Sequence, residues 1–296
     1  MTNQFGGSWT DQKMAIVVAY AKAYLTIMKE QRWAKTIYFD GFAGSGSIKD
    51  NSSLRNNNCL LDSNAEMSTA EDIKKGTALR ILDISEPKPF DLYYFVEKNE
   101  SYQQQLLHQI GRRYVDRKCH VVKGDCNKKL NDLAGFLKQN NEFRALCFID
   151  PYGMSVKWSS IEALRGLGVD LWILVPTGVS ANRVLVNDGN IPDVWLNSLE
   201  IFLGLKRDDI KRKFYKEVIQ HNLFGDDLTL VEKERDTVNK LGKLYAERLQ
   251  TVFNFVSESF VLRNSMNSIM YHFMMGTNNP VALKIANDVI KPKYKL

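Results

Sequence analysis

The segment that decides the fold is KTIYFDGFAGSG, residues 35–46, where a run of β-branched and aromatic residues ends at an aspartate and three glycines. The first half predicts a buried strand, and glycines directly after a strand let the backbone approach a ligand or adopt a positive φ. The glycine spacing is GxxGxG, which matches neither the GxGxxG dinucleotide fingerprint nor a phosphate loop ending in Gly-Lys-Ser/Thr. By itself the segment leaves two interpretations open, a ligand-binding loop and a tight turn.

Strands and helices alternate on both sides of this segment. Apolar residues at helical spacing predict a helix over 11–32, and short helices are expected between the later strands. Further strands are predicted at 91–99, 119–125, 144–153, 169–178, 254–264 and 268–278. Alternating apolar strands and helices predict an α/β fold with a mostly parallel sheet covered on both faces. The last two strands form a hairpin-like pair, so the final strand is expected to be antiparallel.

The chain is predicted to be a single domain, 1–296, with two departures from the regular alternation. Residues 49–76 are rich in Asn, Ser and charge, which predicts a flexible polar loop or lid. Residues 180–250 are charged and have helical character, which predicts a helical insertion between strands five and six.

Composition narrows the class of protein. The 296 residues are 44% hydrophobic and carry a net charge of +6, which permits a polyanionic partner without demanding one. No apolar run approaches the roughly 20 residues that span a bilayer, so no membrane association is expected. Without a CxxC pair or clustered histidines, the sequence predicts no metal site and a reducing, cytoplasmic setting. No secretory signal is expected at the N-terminus.

Acidic or amide side chains follow three more of the predicted strands. Glu97 ends the second strand, and an acid there is placed to accept both hydroxyls of a ribose. Asp125 follows the third strand, where it is suited either to an exocyclic adenine amine or to capping the next helix. Asp150, Pro151 and Tyr152 follow the fourth strand, as an acceptor turn or a simple strand-ending turn. Four such features at four strand ends meet at one edge of the sheet, which favours a ligand site.

In combination, these motifs resemble those of class I S-adenosylmethionine-dependent methyltransferases. The quoted segments are YFDGFAGSG, YYFVEKN, GDCN, RALCFIDPYGM, Trp158, DLWILVPTG and Asn182-Arg183. Most closely they resemble the three-Cys-motif partner protein (TcmP) family, over roughly residues 14–290. The resemblance implies a Rossmann-like class I methyltransferase sheet and the cofactor S-adenosyl-L-methionine. It also implies a neighbouring three-cysteine protein similar to radical-S-adenosylmethionine proteins.

Residue by residue, the resemblance assigns the first glycine-rich segment to the cofactor. The implied cofactor-binding residues are Asp40, Gly41, Phe42, Ala43, Gly44, Gly46, Glu97 and Asp125. The implied catalytic residues are Asp150, Pro151 and Tyr152. Nucleic-acid amino-methyltransferases typically have Asp/Asn-Pro-Pro-Tyr/Phe, whereas one proline is missing here and Gly153 stands where the aromatic is expected. Trp158 is then a candidate for the stacking aromatic.

Two functions of different classes follow from these observations. The leading one is an S-adenosylmethionine-dependent methyltransferase that acts on an amino group of a base in RNA or DNA. The alternative is a non-catalytic, methyltransferase-like partner of a three-cysteine protein. A nuclease is disfavoured, because no PD-(D/E)xK-like spacing is present. Two basic clusters are either solvated faces or phosphate contacts, Lys206–Lys213 and Arg112–Lys118.

Overall fold

The computed structural model describes residues 8–49, 73–220 and 228–291. Its helices are α1 (Ser8–Glu30), α2 (Thr77–Leu82), α3 (Glu100–Arg113), α4 (Cys126–Gln139), α5 (Trp158–Glu162), α6 (Asn182–Val184), α7 (Asp193–Leu203), α8 (Arg207–Phe214), α9 (Thr237–Gln250) and α10 (Pro280–Ile290). Its strands are β1 (Lys35–Asp40), β2 (Ser47–Lys49), β3 (Ile73–Lys75), β4 (Leu92–Glu97), β5 (Cys119–Lys123), β6 (Phe143–Ile149), β7 (Val169–Val175), β8 (Tyr215–Gln220), β9 (Leu228–Lys233), β10 (Phe255–Val256), β11 (Phe260–Arg263) and β12 (Ile269–Thr277).

The described part of the chain is built around one eight-stranded sheet. Its order is β10-β12-β7-β6-β1-β4-β5, and β11 also pairs with β12. Strands β5, β4, β1, β6 and β7 are mutually parallel, and β12 is antiparallel to its neighbours β7, β10 and β11. The prediction of a mostly parallel, Rossmann-like methyltransferase sheet with an antiparallel last strand is therefore confirmed.

The segment 254–264 differs from the single strand that its sequence predicts. It is divided into β10 and β11, which raises the strand count from the expected seven to eight in the described sheet. At the break, Ser257 donates its backbone N–H to the Met275 carbonyl, and its hydroxyl accepts from the Met275 N–H. A side-chain oxygen thus replaces a carbonyl in the ladder, and the regular strand is interrupted there.

Two predicted segments outside the regular alternation have mixed outcomes. The polar segment 49–76 falls almost entirely on 50–72, outside the described residues, and its flanks pair as β2 with β3. The segment 180–250 holds α6 to α9, but it also contains the antiparallel hairpin β8–β9 rather than helix alone. The two hairpin strands, YKEVIQ and LTLVEK, are rich in β-branched residues, which fit a pleated surface better than a helix.

Helices cover both faces of the sheet and create two apolar layers. Alternation along β1 sends Tyr38 into the layer under α1, α2, α3 and α10, and Phe39 into the layer under α4, α5, α7 and α9. This explains why the central strands are nearly continuously apolar. Within the described ranges, no helix combines the length and the apolarity needed to cross a membrane.

One buried carboxylate braces the amino-terminal end of β7. Asp170 accepts hydrogen bonds from the Tyr20 hydroxyl of α1, at 2.7 Å, and from the Thr277 hydroxyl of β12. Burial raises the pKa of Asp170, and these two hydrogen bonds oppose the shift. The carboxylate therefore joins a helix, a parallel strand and the antiparallel strand.

We expect Tyr20→Phe to lower the free energy of unfolding by about 1–3 kcal/mol, because it removes a donor from a buried acceptor. Tyr24→Phe, one helical turn away, is the matched control. The Tyr24 hydroxyl is also buried and has no hydrogen-bond partner among the described residues, so its removal should be neutral or stabilising. Urea unfolding of both variants measures the difference, and equal losses would contradict the assigned role of Asp170.

Candidate active site

The glycine-rich segment after β1 is fixed to the ends of the two neighbouring strands. Gly41 donates its N–H to the Phe148 carbonyl of β6, and Ala43 donates to the Val96 carbonyl of β4, both at 3.0 Å. A side chain at Gly41 is excluded, because its Cβ would lie 2.5 Å from the Cys126 sulfur. The loop is thus anchored by its backbone and packed tightly from below.

Gly44 forms the half-buried crest of this loop and contacts the predicted ribose-binding acid. Its φ is +62°, and its N–H donates to Oε2 of Glu97 at 2.9 Å. The other Glu97 oxygen, Oε1, accepts from the Asn99 N–H at 2.7 Å. A Cβ built on Gly44 meets no described atom within 4 Å, so the loop faces open space there. Gly46 also has a positive φ, +79°, and packs against Leu106.

Asp40 lies beneath the loop, nearly inaccessible to solvent. Its Oδ1 accepts the Phe42 N–H at 3.0 Å. Burial raises the pKa of Asp40 to about 7; the negative charges of Asp150 and Glu97 add to this, while the Phe42 N–H and the Lys13 ammonium oppose it. Asp40 therefore accepts a hydrogen bond that supports the loop, and its pKa lies close to neutral pH.

Asp125 is the N-cap of α4. Its side chain accepts the Lys128 N–H at 3.2 Å, which is one of the two roles that the sequence left open. The preceding Gly124 donates its N–H to the Glu97 carbonyl at 3.0 Å, so the end of β5 is attached to the end of β4. Asp125 is exposed, and contact with an adenine remains a prediction.

Asp150 has a partner that the sequence did not reveal. The ammonium of Lys13, on the first turns of α1, forms a close ion pair with Oδ2 of Asp150. The Lys13 side chain is 5% exposed and the Asp150 side chain 28%. The pair lies 137 residues apart in sequence, and it fixes the acceptor turn to the start of α1.

Pro151 is buried and Tyr152 is 64% exposed at the rim. The Tyr152 ring meets the Phe42 ring edge to face, with centroids 6.5 Å apart, which links the acceptor turn to the glycine-rich loop. Partial burial raises the pKa of Tyr152, and the charges of Glu97 and Asp150 contribute further. The structure therefore brings Tyr152 close to the predicted residues of both strand ends.

Three of the four predicted strand-end acids lie on one face of the sheet. Tyr38, Phe95 and Phe148 belong to the layer under α1. Because side chains alternate along a strand, the residues two positions later also point to that side, and these are Asp40, Glu97 and Asp150. The carboxyl edge of the sheet thus gathers its acids toward the start of α1.

Two further side chains define the loop that follows Asp150. Asn127, on α4, donates to the Ser155 carbonyl at 2.9 Å and accepts the Lys157 N–H at 2.7 Å. Trp158 is 3% exposed and packs against Tyr245 and the Arg248 guanidinium. Trp158 is therefore a core residue, and the idea that it supplies the stacking aromatic is wrong.

One basic cluster lies away from this edge, and the arginines of the other are paired with carboxylates. Arg112–Lys118 lies between the end of α3 and the start of β5, which is the amino end of the sheet. In the other cluster, Arg207 pairs with Glu200 and Asp193, and Arg212 pairs with Asp209. Over the described ranges, no group of three or more His, Cys, Asp or Glu side chains is arranged to hold a metal ion.

Comparison with known proteins gives distant structural similarities. No family model and no curated protein matches the sequence. A Legionella pneumophila protein of family DUF519 is 16% identical, with a TM-score of 0.44 over 92% of this chain and 98% of that one. Trm1 from Pyrococcus horikoshii, in complex with S-adenosyl-L-methionine, is 11% identical, with a TM-score of 0.38 over 99% and 73%.

Asp40→Asn is expected to stabilise the protein at alkaline pH. The ordinary pKa of the carboxyl is 3.8 and its value in the fold is about 7, so its contribution to stability is present below pH 3.8 and lost as the pH rises through 7. The asparagine cannot ionise, and its oxygen can still accept the Phe42 N–H. At about pH 8 the variant should gain more than about 1 kcal/mol, with the gain shrinking below about pH 5.

Urea unfolding at several pH values measures this difference. Asp132→Asn is the control, since Asp132 is an exposed carboxylate in a surface ion pair with Lys129. A pH-independent effect of Asp40→Asn, or an equal gain in the control, would contradict the assigned pKa.

Proposed function

We propose that this protein is an S-adenosylmethionine-dependent methyltransferase whose acceptor is an amino group of a nucleic-acid base. The observation that carries the proposal is the arrangement at the carboxyl edge. There, an open glycine loop hydrogen-bonded to Glu97 lies next to Asp150, whose carboxylate is paired with Lys13. One half of this arrangement suits a nucleoside cofactor, and the other suits a hydrogen-bond donor that is to be methylated.

The cofactor half is preorganised by backbone contacts. Glu97 receives one N–H on each carboxylate oxygen, and each oxygen keeps a second lone pair for a ribose hydroxyl. The empty space in front of Gly44 gives the methionine end of the cofactor close access to the backbone. Asp125, at the end of the next strand, supplies an acceptor for the adenine amine. Asp40, Gly41, Phe42, Ala43 and Gly46 hold the loop in this shape.

The acceptor half is suited to an amine. Methyl transfer from a sulfonium is an in-line displacement, so the protein contributes mainly by positioning the two reactants. The lone pair of an exocyclic amine is delocalised into its ring, which makes it a weak nucleophile. Hydrogen bonds from that amine to Asp150 and to the Pro151 carbonyl stabilise the positive charge that develops on nitrogen. Lys13 holds the Asp150 carboxylate in place for this interaction.

The exposed ring of Tyr152 offers a stacking face for the base. It stands at the rim, beside Phe42 and close to Asp150. A base in a duplex must leave its stack to reach Asp150, at a cost of a few kcal/mol, and stacking on an aromatic ring offsets part of that cost. The proposed substrate is therefore an unpaired or flipped base in RNA or DNA.

The motifs of the chain also support a place in the TcmP family, with a three-cysteine protein as partner. The alternative function, a non-catalytic partner of that protein, is favoured by one feature. Gly153, with a φ of +60°, occupies the position where an aromatic residue is expected. An acceptor assay separates the two functions, because a non-catalytic partner transfers no methyl group.

Gly44→Val is expected to weaken the binding of S-adenosylmethionine and its demethylated product at least about tenfold, because the side chain fills the space in front of the loop. Gly166→Val is the matched control. Gly166 also has a positive φ, +72°, and also faces open space, but it lies in the turn before β7 at the amino end of the sheet. Both variants carry the same backbone strain, so calorimetry isolates the effect at the site. Equal affinities in the two variants would contradict the cofactor assignment.

Asp150→Ala is expected to reduce methyl transfer at least about 100-fold while cofactor affinity changes less than about threefold, because the hydrogen bond that Asp150 accepts matters most as charge forms on the acceptor nitrogen. Transfer is measured with methyl-labelled S-adenosylmethionine and total RNA or denatured DNA as acceptors. Asp132→Ala serves as the control. Wild-type rates in Asp150→Ala would remove Asp150 from the acceptor site, and no transfer by the wild type despite cofactor binding would favour the non-catalytic partner.

A further inference from the structure

The start of β12 extends the acceptor edge beyond Tyr152. His272 pairs with Val175, the last residue of β7, so Tyr271 stands one position further toward the carboxyl edge. Tyr271 packs against the apolar layer under α1, the same side as Asp150. Partial burial raises the pKa of Tyr271; the charge of Asp150 adds to the shift and the charge of Arg183 opposes it. The strand position therefore places Tyr271 at the carboxyl edge, on the same side of the sheet as Asp150.

Arg183 is held at this position by an unusual turn. The π-helical turn Thr177–Ala181 follows β7 directly and leads into α6. At Gly178 the turn presses against β12, since a Cβ there would lie 1.9 Å from the Ile269 carbonyl oxygen. The approach fixes the start of α6, and with it Arg183, beside the start of β12. Arg183 is exposed, and none of the described carboxylates forms a salt bridge with it.

A polar cleft of about 340 Å³ opens beside the start of α6. Its lining residues are Asn182, Asn187, Lys233, Glu234, Asp236, Thr237 and Val238. The Lys233 ammonium forms part of the wall and donates to the carbonyls of Asn182 and Leu185. Glu234 is paired with Lys240. The cleft therefore presents amide, carboxylate and ammonium groups together, and Asn182 and Arg183 connect it with the acceptor edge.

We propose that this cleft is a subsite for the nucleotide next to the methylated one, with Arg183 binding the phosphate that joins them and Tyr271 forming the second wall of the base pocket. The inference rests on the proposed function and adds to it a substrate class, a single strand that occupies at least two neighbouring nucleotide positions.

The chemistry of the cleft favours a nucleotide over a free anion. A site for phosphate alone would be expected to concentrate cations, whereas this cleft mixes donors with acceptors. Asn182, Asn187 and Asp236 suit the donor and acceptor edge of a base, and Arg183, between the two sites, suits a phosphate oxygen. The cleft volume falls at the small end of ligand sites, roughly 300–1,000 Å³. The arrangement therefore matches one base and one phosphate.

The test measures binding of fluorescein-labelled, mixed-sequence single-stranded RNA and DNA oligonucleotides by anisotropy at several salt concentrations. The variants are Arg183→Ala and Asn187→Trp, the second of which adds bulk to the cleft from an exposed position. Arg165→Ala is the control, because Arg165 is also an exposed arginine but lies in the turn before β7, at the amino end of the sheet. Calorimetry with S-adenosylmethionine is run on every variant.

We expect Arg183→Ala to weaken binding about three- to tenfold and to reduce the slope of log affinity against log salt by about 0.7, the value for one phosphate on a single strand. Asn187→Trp should weaken binding without changing that slope, and Arg165→Ala should do neither. Unchanged affinity in both site variants, or no oligonucleotide binding by a wild type that binds the cofactor, would overturn the subsite and leave the cofactor assignment standing. If the wild type does not bind the cofactor, that result would instead overturn the proposed function and the subsite with it.

Discussion

In a parallel sheet that is covered by helices on both faces, charged groups can be placed only at the rim. The central strands are buried on both sides, and an unpaired charge inside them would cost several kcal/mol. Asp40 shows what happens just below the rim: burial raises its pKa to about 7, and one backbone N–H from Phe42 holds its carboxyl oxygen. Glu97 and Asp150 stand at the ends of the strands on either side of β1, and they find N–H or ammonium partners there. The same constraint that builds the core therefore collects the acids at one edge.

The Lys13–Asp150 pair determines how the first helix meets this edge. Lys13 is a buried lysine on the first turns of a helix whose other inward residues are apolar. Its ammonium lies 6.0 Å from the centre of the Phe148 ring, so its surroundings are apolar on one side and anionic on the other. Breaking one side of such a pair costs more than the pair contributes, because a charge is left in a poorly solvated place. The pair therefore fixes the start of α1 over the acceptor turn.

The sequence predicted the residues whose positions follow from local rules. Glu97, Asp125 and Asp150 each end or follow a strand, and parallel strands bring such ends together whatever the loops do. The role of Asp125 as the N-cap of α4 was one of the two stated alternatives. This role requires only that a helix begins directly after Asp125. Gly44 has a positive φ as glycines after a strand allow.

The residues that the sequence could not predict are placed by long-range packing. Lys13 lies within a helical pattern that fits an exposed lysine equally well, and only the position of β6 brings Asp150 to it. Trp158 was a candidate for stacking because it follows the acceptor turn, but α9 provides Tyr245 and Arg248 to bury it. The β8–β9 hairpin was missed because charged residues in its strands also fit a surface helix. The break at Ser257 depends on a hydroxyl that bonds to another strand.

The two halves of the proposed site, one for the cofactor and one for the acceptor, consequently depend on the chain in different ways. The cofactor half is held together by hydrogen bonds such as the one from Gly44 to Glu97, two residues that are 53 positions apart. Its loop, β4 and β5 all lie within one stretch of the sequence, 41–123. The acceptor half needs Lys13 from the beginning of the chain, Asp150 from the middle and Tyr271 from the end. Closing contacts of such length costs chain entropy that only the complete sheet offsets. The contacts of the proposed cofactor half therefore span shorter stretches of chain, whereas the complete surface proposed for the acceptor exists only when β12 has paired with β7.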